Sequence, residues 1–179
     1  MKPTKIIVHH EWGNNGFESV NAYHRSLWNF KSSLGYFIGY QYYIDLAGIV
    51  HQGRKDDEEG AHTIGQNKDS IGICIEGNFD VSKPNAAQIN ALKALILQKM
   101  TQWAIAPNQV FGHRIYANYK SCPGSMWPES EIRALFQPDM NYYQAIINSI
   151  RDWLMKIKIR QLGSIHSHAC INFNTKDPD

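Results

Sequence analysis

The stretch 70-SIGICIEG-77 decides the architecture. Ile71, Ile73 and Ile75 share one parity, while Cys74 and Glu76 share the other. Successive strand residues point to opposite faces, so this segment predicts a strand with an isoleucine face turned to a core. Working outward, "KIIV" (5–8) is a short β-branched run that reads as a second buried strand. "IGYQYYID" (38–45) is aromatic and β-branched, and "LAG" turns it into "IVHQG", which predicts a hairpin. The run "KDDEEG" (55–60) reads as a solvated acidic loop.

Between these strands lie helical patterns. Residues 17–30 place Phe17, Val20, Tyr23, His24, Leu27 and Trp28 at helical spacing. Residues 83–103 carry Ile89, Leu92, Leu95, Ile96 and Trp103 as an apolar stripe, with Pro84 suited to the first turn. "APNQVFGH" (106–113) returns to extended chain, and "ESEIRALF" (129–136) predicts a short helix. The order β-α-β-β-β-α-β-α indicates an α/β domain, a central mixed sheet flanked by helices.

A chain of 179 residues fits one domain with a substantial core. The net charge of +2, from 18 basic and 16 acidic residues, is too balanced to argue for nucleic acid. Three cysteines, Cys74, Cys122 and Cys170, argue against a disulfide framework. "MKPTKIIVHH" enters a strand directly, without the apolar region of a secretory signal, which implies synthesis in a cytosol. Pro138 marks a break. Beyond it, residues 141–160 carry a helical apolar stripe with a basic far end. Residues 139–179 are too few for a self-sufficient core, so 1–138 reads as the folded domain and the rest as an amphipathic helix with a loose tail. Docking onto the domain is the favoured reading of that helix. Self-association, or contact with an anionic membrane or wall, are the others.

The chemistry starts from "GHRIYANYKSCPGS" (112–125). A neutral imidazole and a thiolate, from His113 and Cys122, are ligands that zinc prefers. The ordinary alternative is a packed cysteine beside a surface histidine. His9 and His10 end a strand, and their opposite parity lets at most one face a shared site. One of them with His113 and Cys122 gives three protein ligands and an open fourth position, the pattern of catalytic zinc. Lys120, two residues before Cys122, can hold a developing oxyanion by its charge, although most single lysines are solvated. Tyr40 can orient water or stabilise a tetrahedral intermediate, although tyrosines in such a strand are mostly packing. Glu76 is a candidate base. Cys74, inside "IGICI", sits in apolar surroundings that make a thiol inert.

Taken in order, "IIVHH", "GYQYYID", "VHQGR", "GAHTIGQNKDSIGICIEGNF" and "GHR…KSCPG" resemble the zinc-dependent N-acetylmuramoyl-L-alanine amidases, the group that includes phage amidase lysozymes and peptidoglycan recognition proteins. The likeness runs from about residue 5 to residue 136. It implies zinc in a groove held by His9, His113 and Cys122, with Tyr40 and Lys120 catalytic. Arg54, His62, Thr63 and Asn67 would line the groove. The implied substrate is peptidoglycan or its muropeptides, cut at the amide joining the lactyl group of N-acetylmuramic acid to L-alanine. Cytosolic recycling amidases of the wider family carry a glutamate where Cys74 stands and an aspartate ligand where Cys122 stands. Both departures favour the phage-lysozyme and recognition-protein branch. Recognition proteins that only bind have lost the cysteine ligand, so Cys122 favours catalysis. The spacing from His113 to Cys122 is one residue longer than in the phage lysozymes. A phage or prophage endolysin released to the wall is the implied role. A non-catalytic wall-binding module and a recycling amidase are the alternatives. The oligomeric state stays open.

Overall fold

The computed structural model describes residues 1–136 and 148–155, and divides the chain into two units, Met1–Gln137 and Pro138–Asp179. The first unit holds a five-stranded mixed sheet. Its strands are β1 (Lys5–His10), β2 (Tyr42–Ile44), β3 (Val50–Gln52), β4 (Ser70–Ile75) and β5 (Val110–Gly112), in the order β3-β2-β4-β1-β5. β1 runs parallel to β4 and β5, β2 runs parallel to β4, and β2 and β3 form an antiparallel hairpin. The helices are α1 (Gly16–Trp28), α2 (Ala86–Trp103) and α3 (Glu129–Ala134).

The alternation of β4 divides the core as parity requires. Ile71, Ile73 and Ile75 join Ile6, Val8, Tyr42 and Ile44 on one face, against Leu92, Leu95 and Ile96 of α2 and Ile132 of α3. Cys74 and Tyr43 lie on the other face with Phe17 and Val20 of α1. Each fully buried isoleucine of this kind contributes about 1.5–3 kcal/mol of transfer free energy.

Several local expectations shift. The strand expected over 38–45 narrows to Tyr42–Ile44, because before it the backbone bonds to side chains. The amide of Gly39, for example, donates to His24 Nδ1. α2 starts after Pro84: Asn85 caps it, and Asn85 and Gln88 exchange side-chain and backbone bonds as a capping box. On α1 only Phe17, Val20 and His24 are buried, whereas Tyr23, Leu27 and Trp28 are exposed. The segment 106–113 opens with a 3-10 turn at Pro107–Gln109 before β5. The helix expected over 141–160 falls mostly outside the described residues, of which 148–155 are helical.

The acidic loop 55–60 is not simply solvated. Asp56 is buried and takes Lys99 Nζ at 2.9 Å, Trp103 Nε1 at 2.8 Å and Tyr42 Oη at 2.5 Å. A buried ion pair loses heavily when one partner is removed, since the other charge stays behind unpaired. Asp56→Ala is expected to lower the free energy of unfolding by about 3–5 kcal/mol in urea titrations. Asp56→Leu combined with Lys99→Met is expected to recover most of that loss.

Candidate metal centre

Parallel strands deliver their carboxyl ends to one edge of the sheet, the usual place for a site in an open α/β fold. His9 is paired with Cys74 near the end of β1, and Val8 is paired with Gly112 at the end of β5. His113 therefore follows directly beside His9. Their ring centroids are 4.3 Å apart. His10, of opposite parity, stays out of the cluster and accepts the Phe79 amide on Nδ1 at 3.1 Å. The choice between the two histidines is thus made by the pleat.

Cys122 arrives on a loop fixed from two sides. Asp80 accepts the Ser125 amide at 2.7 Å and the Ser121 hydroxyl at 2.8 Å. Arg114 donates its amide to the Cys122 carbonyl at 2.7 Å, and its guanidinium donates to Gly124 and Trp127. The result is a buried cluster of His9, His113 and Cys122 whose ligand atoms all lie within 4.8 Å of one another.

This donor set fits zinc. Tetrahedral Zn–N and Zn–S bonds of about 2.05 and 2.3 Å separate the two donors by about 3.6 Å. His9 Nδ1 and Cys122 Sγ are 3.7 Å apart. Burial, then His113, hold His9 well below the ordinary imidazole pKa. Burial, then Lys120, bring His113 to about 4. Both rings therefore stay neutral, as metal ligands must. Burial pushes the Cys122 thiol up to about 12, so its proton has to leave when a metal binds.

A groove of about 820 Å³ opens over the cluster. Tyr40, Lys120, His62, Thr63 and Asn67 line it. The Tyr40 ring lies 5.1 Å from the His9 ring, and burial, then the nearby Cys74, raise its pKa well above the ordinary phenol value. Cys74 is itself pushed far up by burial and is no nucleophile. The Asn67 amide oxygen braces the loop by accepting the backbone amides of His62 and Thr63.

Two expectations fail. Arg54 does not line the groove. It is buried, and its guanidinium is spent on the carbonyls of Ile38, Glu59 and Phe30, so it staples three loop segments together. Glu76 is also outside the groove: its carboxylate accepts the Leu46 amide at 3.1 Å.

The groove also holds residues that the sequence did not single out, among them Trp12, Trp28, Tyr116, Tyr119 and Asp80. Trp12 is 71% exposed and has a left-handed backbone, with φ of 67°. Its place just past the end of β1 was the one available signal.

His24, under Tyr40, accepts the Gly39 amide at 2.9 Å and is driven by burial to a pKa of about 4. Below pH 6.5 the unfolded chain takes a proton at this residue that the folded chain refuses. Its contribution is whole above that pH and is lost as the pH falls towards about 4. Thermal melts in chelator are expected to show the transition temperature falling across this window. His24→Asn should flatten the slope, by up to about 1.4 kcal/mol per pH unit.

Comparison with known proteins agrees with this geometry. The family model for N-acetylmuramoyl-L-alanine amidase matches residues 1–125. Peptidoglycan-recognition protein SC2 of Drosophila melanogaster is 32% identical over 135 residues, covering 69% of this chain and 70% of that protein. An endolysin of Klebsiella phage KP32 is 32% identical over 104 residues, 53% of this chain and 67% of the endolysin. Among solved structures, the N-acetylmuramoyl-L-alanine amidase LysC from Clostridium intestinale URNW superimposes with a TM-score of 0.66 at 29% identity, covering 75% of this chain and 85% of that one.

Proposed function

The chain belongs to the N-acetylmuramoyl-L-alanine amidase family, and we propose that it is a zinc-dependent hydrolase of the amide between N-acetylmuramic acid and L-alanine in peptidoglycan. The observation that carries this reading is the convergence of His9, His113 and Cys122 at the floor of the groove. His9, His113 and Cys122 would hold a zinc ion there, which would supply Lewis-acid chemistry to the amide carbonyl and to an attacking water.

The remaining work falls to the side chains. Tyr40 keeps its proton at neutral pH because burial raises its pKa, so it acts as a donor towards an oxyanion rather than as a base. Lys120, exposed and also lining the groove, offers a positive charge to the same oxygen. His62, Thr63 and Asn67 wall the side of the groove where a stem peptide can lie. In this assignment residues 1–138 are the catalytic domain and 139–179 an appendage.

A cysteine at the third ligand position favours hydrolysis over binding alone, as does the likeness to the phage endolysin. That likeness also supports an endolysin role: synthesis in a host cytoplasm and action on the wall after release. Among the described residues no helix is long and apolar enough to cross a membrane. The experiment is digestion of purified sacculi followed by mass analysis, with and without chelator. Zinc-dependent release of peptides with free N-terminal alanine is expected. Release that is indifferent to chelator, or none with zinc supplied, would overturn the proposal.

A further inference from the structure

A histidine that binds a metal must present a bare nitrogen to it, and a neutral imidazole has only one. His9 turns Nδ1 towards Cys122, 3.7 Å away, and Nε2 towards His62 Nδ1, 3.1 Å away. Which nitrogen of His9 carries the proton follows from the far end of a chain of hydrogen bonds.

The Ser70 hydroxyl lies 2.6 Å from the Gln66 carbonyl oxygen. A carbonyl can only accept, so Ser70 spends its single proton there. Towards His62 Nε2, at 3.4 Å, Ser70 can then only accept. His62 therefore carries its proton on Nε2, and its Nδ1 is bare. That bare Nδ1 can only accept from His9, so His9 is protonated on Nε2 and bare on Nδ1. Thr63 is compatible with this direction: its hydroxyl is 3.0 Å from His62 Nδ1 and 3.4 Å from His9 Nε2, and a hydroxyl can donate or accept, so the direction is set by Ser70 alone.

The His62 ring lies packed against two glycines. Gly72, on the site-facing parity of β4, lies against it. A methyl group there would come within 2.5–2.7 Å of three ring atoms. One at Gly60 would come within 2.6 Å. Neither glycine has a positive φ, so the space taken by the ring is what each position requires.

We infer that His62 is a positioning residue, which fixes His9 as the Nε2–H tautomer through a hydrogen-bond chain anchored on the Gln66 carbonyl and so presents a bare Nδ1 to the metal. The inference rests on the zinc site proposed above. It gives Ser70, fully buried and outside the groove, a part in metal binding.

The test measures zinc affinity by chelator competition and, in the zinc-free protein, the nitrogen-15 shifts of the imidazoles. His62→Phe is expected to weaken zinc about 10- to 100-fold. His62→Asn places an amide oxygen near the position of Nδ1 and should restore most of the affinity. Ser70→Ala is expected to weaken zinc less than His62→Phe, and to turn the Nε2–H form of His9 into a tautomer mixture. Should His62→Phe fail to fold, Ser70→Ala and the wild-type spectrum still decide. Wild-type affinity in both His62→Phe and Ser70→Ala overturns the inference, as does an Nδ1–H tautomer of His9 in the wild type. Equal losses in His62→Phe and His62→Asn, with the His9 tautomer unchanged, also overturn it. A wild-type protein that binds no zinc overturns the metal site itself, a separate result.

Discussion

Cys122→Ala empties the proposed zinc site under conditions that fill the wild type. Four-ligand zinc peptides bind with about 10–16 kcal/mol, so one ligand carries on the order of 3–4 kcal/mol, or about 10²–10³-fold in affinity. Turnover on sacculi is expected to fall with occupancy, by a similar factor. Cys122→Ser keeps a poorer donor in place and should fall between. A second readout separates lost metal from lost fold. Zinc at 100 times its dissociation constant stabilises a folded protein by about 2.7 kcal/mol, which raises the transition temperature by about 5–10 °C for a chain of this size. The wild type should show that rise and Cys122→Ala should not, while the two zinc-free proteins melt close together. Undiminished turnover of Cys122→Ala after metal removal would falsify the site.

What could be read in the sequence and what could not divides along physical lines. The isoleucine parity of β4 and the stripe of α2 are properties of periodicity, and both were legible. Parity limited the site to one of His9 and His10 beside His113 and Cys122, but only the family resemblance pointed to His9, because the sheet-edge adjacency of β1 and β5 is a property of the fold. Arg54 was misjudged because its residue type suits either a groove or a staple, and only the positions of three carbonyls decide between them. Asp56 was misjudged for a similar reason: Lys99, 43 residues away, converts a solvated acid into a buried one. On α1 the helical spacing was right, but the stripe was wider than the buried face. Tyr23, Leu27 and Trp28 are left exposed, and of the three Trp28 lines the groove. The His62 chain depends on tautomers and a tight glycine socket, neither of which leaves a periodic trace.

Tyr40→Phe is the second large effect, and it separates catalysis from metal binding. The phenyl ring keeps the packing of Tyr40 among His9, His24 and His62, whose ring centroids lie 5.1, 5.5 and 6.1 Å away. Zinc affinity is therefore expected to stay within about twofold. What is lost is one hydroxyl donor in a buried site, and removing such a donor from an oxyanion typically costs about 10²–10³-fold in kcat. Because burial keeps this phenol protonated far above neutral pH, its loss should lower the rate evenly from pH 6 to 8 rather than shift the profile. Cys74, whose thiol is buried on the same side of the sheet as Tyr40, adds a control. Cys74→Ala leaves the Tyr40 hydroxyl in place, so its cost should be much smaller than that of Tyr40→Phe. A wild-type kcat in Tyr40→Phe would reduce Tyr40 to packing and leave Lys120 as the only side-chain partner for the oxyanion. Lost zinc in the same variant would make the ring, not the hydroxyl, the part that matters.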